Sequence, residues 1–98
     1  MNITSKQRAY LRSLAHSLNP IFQIGKSGIS DNQLQGISEA LEAHELIKIT
    51  VLETAPDSIK ILSEEIANAT SSLVVQTMGN KITLFRKRSK NSKIEFPK

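Results

Sequence analysis

Hydrophobic positions along this 98-residue chain recur with two periods, and each change of period marks a new element. Leu11, Leu14, Ala15 and Leu18 fall at helical spacing, which predicts a first helix from Ser5 to about His16, begun by Thr4 or Ser5. Asn19-Pro20 ends it, because the residue before a proline is pushed out of the helical region. Ile21 to Ile24 then reads as a short buried strand. Leu34, Ile37 and Leu41 form the inner stripe of a second helix from Ser30 to about Ala43, with Asp31, Gln35, Glu39 and Glu42 outward. From Leu46 to Leu52 the period drops to two: Ile47, Ile49 and Val51 share one side, Lys48 and Thr50 the other. Ala55-Pro56-Asp57 is a turn, and Asp57 or Ser58 caps a third helix to about Thr70, with Ile59, Leu62, Ile66 and Ala69 as its stripe. Leu73 to Met78 and Lys81 to Lys87 are strands joined by Gly79-Asn80, a two-residue hairpin turn.

The order α-β-α-β-α-β-β makes one α/β domain over residues 1–98. Its crossovers are parallel and its last hairpin antiparallel, so the four-stranded sheet is mixed. The simplest architecture is two layers, with the helices on one face and the other face open to solvent. With Ile82 and Leu84 turned to the core, Thr83, Phe85 and Lys87 face outward, setting an aromatic among bases. Residues 88–98 are basic and polar and read as a loosely held tail.

Charge changes this picture. Residues 1–28 carry +4 with no acid, residues 29–72 carry −6, and residues 73–98 carry +6. Two basic ends around an acidic middle suggest a polarised molecule that attracts polyanions; solubilising charge with a basic tail is the plainer alternative. No apolar run approaches the roughly 20 residues of a membrane span, and no signal-peptide pattern opens the chain. The absence of cysteine removes disulfides and thiolate metal sites, and the expected location is the cytoplasm.

Candidate chemistry centres on Ile24-Gly25-Lys26-Ser27-Gly28-Ile29-Ser30. Two glycines bracket an exposed lysine, and Ser30 with Gln33 forms a capping box that opens the second helix. Amides and the positive end of the helix dipole beside Lys26 suit a phosphate. A nucleotide-binding loop needs a further glycine where Pro20 stands, so no nucleotide is expected. Gly-x-x-Gly ahead of a helix is also how KH domains clamp a nucleic-acid backbone, although any tight turn can carry two glycines. Catalysis has little to stand on. His16 and His44 fall near helix C-termini, where histidine commonly caps or packs, and they make no metal set with the scattered acids. Neither an enzyme activity nor a cofactor or metal is expected.

Together these residues resemble the CRM domain, the RNA-binding module named for chloroplast RNA splicing and ribosome maturation, in its stand-alone bacterial form. The resemblance rests on Leu11 to His16 followed by Pro20, on Ile24 to Ser30, on Ala40 to Ile49, and on Gly79 with Leu84-Phe85-Arg86. It implies a fold similar to the C-terminal domain of translation initiation factor three, RNA binding through the glycine loop, and a role with large-subunit ribosome precursors. Two departures stand out: Phe85 replaces a frequent tyrosine, and Ser71-Ser72 stand where the family favours a glycine after the third helix.

The combined expectation is a monomeric, non-catalytic RNA-binding protein of ribosome biogenesis, its partner the rRNA of pre-large-subunit particles. Gly25, Lys26, Ser27 and Gly28 hold a backbone phosphate. Arg8, Arg12, Arg86, Lys87 and Arg88 extend a basic track, with Lys48, Phe85, Lys90 and Lys93 as further contacts. The alternative is a protein-interaction module that docks on a ribosomal protein or assembly factor through the acidic helices.

Overall fold

A computed structural model describes residues 3–88 together with Ser92, Ile94 and Phe96. Seven elements follow in the expected order: α1 Ser5–Ala15, β1 Phe22–Ile24, α2 Asp31–His44, β2 Leu46–Val51, α3 Ile59–Thr70, β3 Leu73–Met78 and β4 Lys81–Phe85. The helix starts follow from local chemistry. Thr4 and Ser30 each close a capping box with Gln7 and Gln33, and Ser58 Oγ accepts from the Ile61 amide. Gly79 takes φ +60° at the first central position of the β3–β4 hairpin, leaving Met78 opposite Lys81.

The strands lie in the order β1-β2-β4-β3. β1 runs parallel to β2, and β4 is antiparallel to both its neighbours, so the sheet is mixed as expected. β4 stops at Phe85, two residues before the expected end, where Arg86 N–H donates to Glu45 O.

The sheet carries two cores rather than one. Ile47, Ile49 and Val51 of β2 and Ile82 and Leu84 of β4 pack with Ile37 and Leu41 of α2 and Leu62 and Ile66 of α3. On the opposite face, Leu46, Val75 and Phe85 pack against Leu11 and Ala15 of α1. The expectation of an open second face is therefore corrected. Phe85 is 2 % exposed, and edge-to-face contact with Phe96 at 5.8 Å covers it further. The physical reason lies in α1, whose apolar stripe needs a sheet face of its own once α2 and α3 fill the other. α1 touches β2, β3 and β4 but lies over one end of the sheet only, where β2 begins and β4 finishes.

The described residues of the C-terminal stretch are seated. Glu45, fully buried at the α2–β2 junction, accepts from Arg88 N–H (3.1 Å), Ser92 Oγ (2.6 Å) and Ile94 N–H (3.1 Å). A buried carboxylate demands such donors, since leaving it unsolvated and unpaired costs several kcal/mol (about 3–5). Ile94 and Phe96 then join the α1 core. α3 ends at Ser71, which takes the left-handed conformation (φ 54°, ψ 42°) that glycine adopts more readily. Ser72 N–H returns to Ala67 O at 2.9 Å, and the Thr70 and Ser72 hydroxyls meet at 2.8 Å. The serines thus close the helix in the geometry a glycine would serve.

Candidate nucleic-acid interface

The glycine loop is a turn closed by Gly28 N–H to Gly25 O at 2.9 Å, with Lys26 and Ser27 exposed at its tip. Gly28 is buried with φ +70°, and a Cβ there would meet Pro56 Cγ at 3.2 Å. Glycine is therefore required both by conformation and by the neighbouring β2–α3 loop. Leu52 N–H donates to Ile24 O at 2.8 Å and fixes the two loops side by side at the C-terminal ends of β1 and β2. The α2 N-terminus is a weaker anion site than its position suggests. Ser30 Oγ already satisfies the Gln33 amide, and Asp31 puts a carboxylate in the first turn. Lys26 and the turn amides carry the loop's positive potential.

The expected basic track divides. Arg8 Nη1 donates to Val74 O (2.8 Å) and Val75 O (2.6 Å), at the bulge where β3 changes register against β4. Arg86 Nη1 donates to Ser38 Oγ (3.0 Å) and Thr70 O (2.8 Å), and Nη2 to Ser38 O (2.7 Å), with Glu42 Oε2 3.7 Å away. These two guanidiniums are structural ties across elements, not free ends of a phosphate track. Phe85 is buried, so the outward stacking face expected of it does not exist. Arg12 and Lys87 are exposed and Arg88 is half-buried, while Lys90 and Lys93 lie outside the described residues.

Distance separates what remains. Lys26 follows β1, which pairs Ile24 with Val51, whereas Lys87 and Arg88 follow β4, whose Phe85 pairs with Leu46. The span from Leu46 to Val51 is about 17 Å at the rise of a strand. Lys87 and Arg88 therefore sit at the opposite end of the sheet from the loop. Lys48 is half-buried on the second sheet face.

One basic residue escaped the sequence reading. Lys81 stands opposite Thr50 in the β2–β4 register and shares the sheet face of Lys48. The signal was its position directly after the hairpin turn, where alternation against Ile82 and Leu84 assigns its face. His16 and His44, at the ends of α1 and α2, are exposed as helix-end residues. Among the described residues no group of three acids or histidines could hold a metal, and no helix is long and apolar enough to cross a membrane.

A small mixed α/β domain with a glycine-bracketed lysine at the sheet's end and seated, tied arginines defines the class. The family follows from comparison with known proteins. Residues 3–86 match the model of the CRS1/YhbY (CRM) domain, and the chain belongs to that family. It is 45 % identical over 97 % of its length, and 99 % of the relative's, to Bacillus subtilis YqeI, named a probable RNA-binding protein. A Haemophilus influenzae relative named an RNA-binding protein is 34 % identical, with 98 % of this chain and 96 % of that one covered. The fold is similar to the solution structure of a hypothetical Staphylococcus aureus protein put forward as RNA-binding. That match has a TM-score of 0.81 at 47 % identity, with 98 % of this chain and 100 % of that chain covered.

Proposed function

We propose that this protein binds RNA without catalysing a reaction on it, and that it acts in ribosome biogenesis on the rRNA of precursors of the large subunit. The observation that carries the reading is Lys26, exposed beside Ser27 at the tip of a turn that Gly28 N–H closes onto Gly25 O. A backbone phosphate can approach such a turn to hydrogen-bond distance and take both amide and ammonium donors. The names of the B. subtilis and H. influenzae relatives support RNA as the polyanion. Contacts of this kind supply affinity and position but little sequence information, so recognition is chiefly of RNA shape.

The experiment is titration of fluorescently labelled large-subunit rRNA fragments with the full chain, beside sedimentation of the protein with ribosomal precursors. Tight, salt-sensitive binding and co-sedimentation with pre-large-subunit particles support the reading. Co-sedimentation that survives nuclease digestion would favour docking on a protein through the acidic α2–α3 layer instead.

A further inference from the structure

The sheet puts the acidic middle of the chain and the basic first helix on opposite faces. Asp31, Glu39, Glu42, Glu64 and Glu65 all lie on α2 or α3, and Glu53 and Asp57 on the β2–α3 loop. On the other side of the sheet stand Lys6, Arg8 and Arg12 of α1, with Lys48 and Lys81 on the second face itself. Among the described residues of α1 and of that face there is no acid but the buried Glu45 beneath the C-terminal stretch.

α1 covers only part of this face, above Leu46, Val75 and Phe85. The remainder is a strip in which Lys48, Gln76 and Lys81 lie half-buried over the buried Thr50 and Thr83, with exposed Gln23 at its β1 edge and exposed Met78 opposite Lys81. Helical periodicity puts Arg12 on the flank of α1 that also carries Arg8, opposite the Tyr10 and Leu14 flank where the C-terminal stretch packs. That flank borders the strip, since Arg8 reaches the β3 carbonyls beside it. Lys48 and Lys81 are diagonal neighbours across β2 and β4, about 7–8 Å apart along the sheet and somewhat closer at Cβ. Neither pairs with a carboxylate among the described residues; Lys81 Nζ donates only to Asn80 Oδ1 at 3.0 Å. Lys81 also begins at the sheet end that carries the glycine loop, because Val51 N–H donates to Asn80 O there.

We infer that this strip beyond α1 is a second RNA-contact surface, continuous with the glycine loop, on which one RNA strand lies with its phosphates toward Lys81, Lys48 and Arg12. The inference rests on the RNA-binding reading above and names where the strand goes after Lys26. Between α1 and the hairpin the strip is two to three residues deep, about 7–10 Å, which suits one strand rather than a duplex. Its floor has no aromatic side chain, because Phe85 and Tyr10 are engaged with Phe96. Bases therefore find no stacking platform, and the strand is held by its backbone with little sequence preference.

The test is the double variant Lys48→Gln/Lys81→Gln in the full chain, beside Lys26→Glu and Lys60→Gln, the last neutralising a lysine on the acidic α3 layer. Each is titrated with single-stranded and blunt-duplex rRNA fragments across a salt series, with thermal midpoints recorded. The expected result is about tenfold weaker single-strand binding by the double variant, and a log–log salt slope shallower by about 1.4, with Lys60→Gln unchanged. If Lys26→Glu weakens binding while the double variant keeps full affinity and slope, the strip is overturned and the loop stands. A loss confined to the duplex overturns the single-strand assignment. Failure of the unaltered protein to bind any RNA overturns the function and this surface together.

Discussion

Glu45 and Ser92 meet through a 2.6 Å hydrogen bond in which the serine hydroxyl donates to a fully buried carboxylate, joining the end of α2 to a residue 47 positions later. The same carboxylate takes the Arg88 and Ile94 amides, so one acid holds the C-terminal stretch over the α1 core. Glu45→Ala removes the acceptor and leaves those donors without it. The expected cost is about 3 kcal/mol, read from the midpoint of urea unfolding, with Glu45→Gln intermediate. An unchanged midpoint in the alanine variant would contradict the clamp.

Arg86 distinguishes a structural arginine from an RNA-binding one. Its fork joins Ser38 of α2 to Thr70 at the end of α3, a geometry that lysine cannot reproduce. Arg86→Lys should destabilise the fold by about 1–2 kcal/mol while leaving the salt slope of RNA binding where it was. A shallower slope with unchanged stability would return Arg86 to the interface.

Ser71 is a site where the fold can be improved. Its φ of 54° costs a non-glycine residue about 1–2 kcal/mol, part of which glycine recovers after its own larger loss of chain entropy. Ser71→Gly is expected to stabilise by about 0.5–1 kcal/mol in thermal unfolding. Gly28→Ala works in the opposite sense, since φ +70° and Pro56 both oppose a Cβ, and it should cost at least about 1 kcal/mol.

These positions also mark what the linear pattern could and could not reveal. Alternation at Ile47, Ile49 and Val51 and the capping boxes at Thr4 and Ser30 are local, so elements and their order were legible. Which helix covers which face is not local. Phe85 alternates correctly against Leu84, yet its burial depends on α1 and Phe96, distant in sequence. Arginines at Arg8 and Arg86 look alike in sequence whether they bind phosphate or tie carbonyls; only the β3 bulge and the α2–α3 approach decide. Glu45 was hidden among solvated acids because nothing in its neighbours announces burial. The glycine loop was legible because its demands, a φ of +70° and a capped helix, are met within seven residues, Ile24 to Ser30.

With Arg8 and Arg86 tied within the fold, the proposed surface offers RNA about four cations: Lys26, Arg12, Lys48 and Lys81. The log of the single-strand affinity should then fall against log salt with a slope near −2.8, at about −0.7 per phosphate contact. A flat response measured by fluorescence anisotropy would remove phosphate contacts as the source of binding.

Lys26→Glu tests the central claim most directly, because the Lys26 side chain is exposed and has no hydrogen bond or ion pair among the described residues. Its affinity for a single-stranded rRNA fragment, measured beside its thermal midpoint, should drop by about tenfold or more while the midpoint stays within a degree or so. Affinity equal to that of the unaltered protein, at an unchanged midpoint, would contradict the assignment of the glycine loop to RNA.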